Sequence, residues 1–218
     1  MASQRTWIRE PFCSLSHLVG AVLSVVALVV LVVLARGRVW HLVGFSLYGI
    51  SLVLLYTVST LYHGLPVTSA QIAWWNRLDY LAIFLLIAGT YAPICLICLP
   101  GGWGWSLLGG EYGLAALGMG TLLIWKGTPH WMRVTLYILM GWLAVLAWPV
   151  LQAVLPPVGR AWLVAGGVLY TGGCVIYATD RPHLWPGKFS AHDLWHLFVL
   201  AGSACHFVLM LGFVAPMG

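Results

Sequence analysis

Charge is what this sequence lacks. Only ten Lys or Arg and five Asp or Glu occur among 218 residues, 7% of the chain, while 61% is hydrophobic. A soluble domain carries about 25% charged residues. A chain this poor in polar surface cannot cover itself in water, so its solvent is lipid. The formal charge of +5 is scattered along the chain, with no basic tract to serve as a nucleic-acid footprint. Five cysteines, Cys13, Cys95, Cys98, Cys174 and Cys205, form no disulfide framework. Most lie in apolar runs, where a free Cys is an ordinary small hydrophobe. Cys95 and Cys98 form a CxxC, but inside an apolar run and without the βαβ context of a redox motif. No internal repeat or low-complexity tract is present.

What remains is a series of long apolar stretches. A membrane span takes about 20 apolar residues, and the pattern predicts seven, at about 15–34, 42–62, 80–99, 107–125, 134–154, 162–178 and 192–214. The first run is too long for a signal-peptide core and reads as a retained span. The expected architecture is all-α, one integral membrane bundle of seven transmembrane helices covering residues 1–218. The Lys/Arg bias of the connections sets its orientation. With the N-terminus inside, Arg5, Arg9, Arg77, Lys126, Arg133, Arg181 and Lys188 lie inside and Arg36, Arg38 and Arg160 outside. Seven against three favours N-terminus in and C-terminus out, with the Arg36/Arg38 turn arguing the other way.

That topology brings particular residues to one membrane depth. The second span ends there with Ser59 and His63, the third begins there with Asp79, and the seventh begins there with His192 and His196. Positions i and i+4 share a helix face, so His192 and His196 can grip one ion. His63 makes a third imidazole. Three protein ligands and a water form the open arrangement of catalytic zinc, which lowers the pKa of that water to about 7. Asp79 would contact the water as general base or orient a ligand histidine; its plain alternative is an N-cap for the third span. Ser59, one turn deeper than His63, is polar support rather than a ligand. Asp193 reads mainly as an acid favoured by a helix N-terminus. His17 lies at the right depth to be an outer partner or a fourth ligand. His206 is about 21 Å beyond His192 along the helix axis, too far to share the ion.

Three stretches carry a resemblance. Ser59-Thr60-Leu61-Tyr62-His63, the run from Asp79 through Ile87-Ala88-Gly89-Thr90-Tyr91-Ala92-Pro93, and His192-Asp193-Leu194-Trp195-His196 through Ser203 together resemble the hemolysin III family. These are bacterial relatives of the progestin and adipoQ receptors and, more distantly, of the alkaline ceramidases. The likeness covers nearly the whole chain, including Arg181-Pro182-His183-Leu184-Trp185-Pro186-Gly187. It implies a seven-helix protein of the inner (plasma) membrane with a cytoplasmic N-terminus. It also implies Zn2+ held near the cytoplasmic face by His63, His192 and His196, with Asp79 at the zinc-bound water and Ser59 close by. In the wider superfamily these positions support hydrolysis of lipid amides. Tyr80 and Asp193 depart from the family pattern, where many bacterial members have histidine and glutamate.

Three functions follow as expectations. The first is a zinc-dependent hydrolase of a membrane lipid amide, with lipid as both solvent and substrate. The second is a receptor or regulator of membrane state with structural zinc. The third is a hemolysin or channel, against which stands the near absence of ionisable groups in spans four to six.

Overall fold

The protein is described from a computed structural model covering residues 8–99, 101–125 and 127–218. Two of the residues counted for orientation, Arg5 and Lys126, lie outside those described. Among the described residues the regular structure is helical, and seven helices are long and apolar enough to cross a membrane. Helix α1 spans Pro11–Leu34, α2 Val39–Gly64, α3 Ser69–Pro93 and α4 Gly101–Ile124. The fifth crossing is α5, His130–Trp142, a 3₁₀ turn at Leu143–Ala147 and α6, Trp148–Val154. Helix α7 spans Pro157–Thr179 and α8 Ala191–Leu209.

Several helices extend beyond their apolar stretches, and at α3 a polar cap sets the start. The largest difference is α3, which begins at Ser69 and not at Tyr80. Residues 69–76, in the polar segment between the second and third apolar stretches, form its first turns. Thr68 caps this helix, and Gln71 Oε1 accepts from its backbone N–H at 3.0 Å. This capping box releases Asp79 from the capping role and places it inside the helix. Pro93 does interrupt α3: the chain continues as a π-turn over Ile94–Cys98. The break in the fifth crossing has its own cause. Tyr91 Oη donates to Gly141 O at 3.0 Å and accepts from Ala144 N–H at 2.9 Å. One side chain thus satisfies two backbone groups that an uninterrupted α-helix would have paired with Val145 N–H and Met140 O.

Helices α1, α2 and α3 pack side by side, α7 lies along α8, and α8 returns to α1. At mid-bundle Ser203 Oγ accepts from Tyr56 Oη at 2.7 Å and pairs with Tyr170 Oη at 2.8 Å, tying α8 to α2 and α7. Small residues permit the close approaches. A Cβ on Gly104 would lie 2.2 Å from Cys95 O and one on Gly44 2.9 Å from Pro93 Cα, the small-residue contact expected of helices in lipid. The outer faces are apolar: Val22 (59% exposed), Leu23 (60%) and Val29 (56%) on α1 have no protein cover. Patches of that kind are excluded from water-soluble monomers and match a lipid-facing belt.

Candidate metal centre

The start of α1 is locked onto the end of α2. Glu10 N–H donates to His63 O at 2.9 Å, and Ser14 Oγ donates to Thr60 O at 3.1 Å. The Arg9 guanidinium donates to Tyr62 O and lies 4.7 Å from the Tyr62 ring centroid. Helix α8 starts beside them with a capping box of its own. Ser190 Oγ accepts from Asp193 N–H at 3.1 Å, and Asp193 Oδ2 accepts from Ser190 N–H at 2.7 Å. Asp193 is therefore an N-terminal acid, as its position predicted.

These ends bring three imidazoles to one point. His192 Nε2 lies 3.5 Å from His63 Nε2 and 3.3 Å from His196 Nε2. Nitrogens bound at 2.0–2.1 Å to one tetrahedral zinc stand roughly 3.3–3.4 Å apart. The tautomer of His63 points the same way. Its Nδ1 donates to Glu10 Oε2, so a neutral ring presents the Nε2 lone pair to the other two histidines. That hydrogen bond from His63 holds the Glu10 carboxyl below the usual carboxylate range. His63 and His196 are each 1% exposed. A cation shared among the three converging nitrogens would satisfy them together. The donor set fits zinc and other transition metals that accept imidazole.

The cluster has a fourth member that the sequence reading did not single out. One donor atom each from Cys13, His63, His192 and His196 all lie within 4.8 Å of one another. Cys13 Sγ also donates to Asp193 Oδ1 at 3.1 Å. The available signal was spacing: Cys13 and His17 are i and i+4 on α1, the same pattern that singled out His192 and His196. His17 is not part of the tight group. Its ring stacks on His196 with centroids 3.8 Å apart, and neither of its nitrogens has a hydrogen-bond partner. His206 lies apart from the cluster, stacked on Tyr170.

Asp79 and Ser59 stand beside the cluster. Asp79 is buried, and its Oδ1 has no hydrogen-bond partner. It lines two spaces at once. One is a vestibule bounded by Glu10, Cys13, His63, His192 and Tyr177. The other is an apolar cavity whose wall includes Ser59, His17, His196, Leu86 and Val199. Its lining continues to Trp142, Val145 and Val164, which are exposed on the outside of the bundle. Among the described residues, Cys95 and Cys98 are buried and free and stand outside the metal-competent group.

The model of the family described as haemolysin-III related matches residues 5–207. The chain is 36% identical to Hemolysin-3 of Bacillus cereus over 99% of this chain and 97% of that protein. It is 35% identical to the Hemolysin-3 homolog of Bacillus subtilis over 91% of each. A more distant similarity, 27% identity over 68% of this chain and 52% of the relative, links it to the ADIPOR-like receptor IZH2 of Saccharomyces cerevisiae.

Proposed function

The chain belongs to the haemolysin III family of membrane proteins, within the progestin and adipoQ receptor superfamily, and from that premise we propose that it is a zinc-dependent membrane hydrolase of lipid amides. The observation that carries this reading is the buried, unpartnered Asp79 carboxylate oxygen between the histidine cluster and the apolar cavity. An acid with an open lone pair at that junction is placed to handle a proton where a polar linkage would meet an acyl chain.

In this reading His63, His192 and His196 hold zinc, and Glu10 and His17 fix the orientation of His63 and His196. When bound, zinc supplies a Lewis acid and brings the pKa of a coordinated water near neutrality. Asp79 would serve as the general base and acid, holding the proton given up by the attacking water and passing it to the leaving nitrogen. Ser59 offers a hydroxyl to the same space and keeps Asp79 and the substrate carbonyl in register. Leu55, Ile83, Leu86, Ile87 and Val199 receive the acyl chain, which enters past Trp142, Val145 and Val164 from the bilayer. The Lys/Arg bias of the connections supports an N-terminus-in orientation with the cluster toward the cytoplasmic side.

The test is turnover of a ceramide-class amide by purified protein, with and without chelator. Loss of turnover on chelation and in Asp79→Asn is the expected result; equal rates for wild type and that variant would sink the reading. Cys13 in the same cluster favours a second reading, a receptor or regulator with structural zinc, because structural sites draw four ligands from protein. Under that reading chelation lowers the melting temperature while no lipid is consumed.

A further inference from the structure

We infer that Cys13 is a fourth protein donor to the metal held by the three histidines, and that it acts as a removable cap on the site. The inference rests on reading the cluster as a metal centre and adds its regulation. The Cys13 donor and one from each histidine already lie within 4.8 Å of one another. A sulfur at 2.3 Å and a nitrogen at 2.0–2.1 Å from one tetrahedral ion stand roughly 3.5–3.6 Å apart. A small side-chain movement therefore completes the set. The backbone need not move, because α1 is already pinned to α2 by Glu10 and Ser14 and stacked on α8 through His17 and His196.

The surroundings give the sulfur two seats. Cys13 is 3% exposed, so water does not compete for it. In one seat the thiol donates to Asp193 Oδ1 at 3.1 Å. The other Asp193 oxygen accepts from Ser190 N–H and Oγ, each at 2.7 Å, so the carboxylate is held at the start of α8. In the other seat the sulfur joins the ion as thiolate, and its proton passes to Asp193 and on to solvent. The first seat leaves one metal position open for water. The second closes the site with four protein donors. The same sulfur thus sets how much of the protein is competent for hydrolysis.

Cobalt(II) substitution tests this without relying on turnover. Purified full-length protein in detergent is stripped with chelator, loaded with cobalt and examined for thiolate-to-cobalt charge-transfer absorption in the near ultraviolet. Wild type is expected to show the band. A variant with Cys95, Cys98, Cys174 and Cys205 all changed to Ala is expected to keep it. Cys13→Ala is expected to lose it while still binding cobalt, with Kd raised at least about tenfold, the lower end of what even outer partners of a metal site cost. Zinc-loaded Cys13→Ala is expected to turn over the lipid amide several-fold faster than wild type. Cobalt bound to wild type without the band, or a band that survives Cys13→Ala, overturns the inference. Failure of wild type to bind cobalt overturns the metal reading with it. A band with no amide turnover by either protein refutes the hydrolase reading and the cap, and leaves Cys13 as a structural ligand.

Discussion

Replacing His196 by alanine is the sharpest single perturbation of the proposed centre. The side chain is 1% exposed, and its Nε2 lies 3.3 Å from that of His192. Structural zinc sites in small domains yield about 10–16 kcal/mol on binding. Shared among three or four donors, that is on the order of 3–5 kcal/mol each, a hundredfold or more in Kd. The variant dialysed against zinc buffered near the wild-type Kd should hold almost no metal, where wild type holds about half a zinc per chain at its Kd. Elemental analysis of the detergent-purified protein reads this directly. His206→Ala is the matched control, since His206 is a buried histidine of the same helix that stacks on Tyr170 away from the cluster. It should retain wild-type stoichiometry. Unchanged metal content in His196→Ala, or equal loss in both variants, would refute the site.

Asp79→Asn should keep its metal while lipid-amide turnover falls by about 10²–10⁴, the range typical of losing a general base. Glu10→Gln should weaken metal binding by about 10–100-fold through loss of the carboxylate on His63, read by competition with a chelating dye. The pH sign of the Glu10 contact follows from its lowered pKa: the stabilisation is full above the ordinary carboxylate range and is lost as pH falls from there through the lower folded-state value. The gap in melting temperature between wild type and Glu10→Gln should therefore close on acidification and persist at neutral pH. Gly104→Ala puts a Cβ 2.2 Å from Cys95 O, and overpacking against backbone should cost about 1–3 kcal/mol. Gly109→Ala meets nothing within 4 Å and should raise the melting temperature slightly through helix propensity.

The fold was legible because lipid simplifies the code. Backbone groups inside a membrane have no water to bond and must be satisfied by protein, so a long apolar stretch leaves little choice but a helix, and the seven stretches correspond to seven long apolar helices among the described residues. The ends were less legible for the same reason. Apolarity marks where lipid touches the chain, whereas capping marks where the helix stops. Thr68 and Gln71 begin α3 well before its apolar part, and that shift removes the N-cap alternative for Asp79 and leaves it a mid-helix carboxylate. The interruption at Leu143–Ala147 was beyond local reading, because Pro149 lies past it and its partner, Tyr91, comes from α3.

At the site, residue rarity carried the information for some groups and concealed others. Histidines and an aspartate at span edges stand out in an apolar chain, and a common depth was enough to gather His63, His192 and His196. Cys13 did not stand out, because a buried thiol in an apolar run has the composition of packing. Glu10 did not either, because an acid just before a first helix looks like a solvated terminus. Both become significant only once α1 is seen pinned against the end of α2. The pinning supplies a second reason to treat the first turn of α1 as part of the centre. Glu10 fixes the tautomer of one histidine, His17 stacks on another, and Cys13 lies between them in sequence with its sulfur among the same imidazoles. Three side chains at the start of α1 converging on the clustered histidines are more than packing requires, since alanine or leucine would have served that at each position. The proposed centre thus draws on three helices, α1 as well as α2 and α8. Substitutions in the first turn of α1 should change metal affinity even where they leave the three histidines intact.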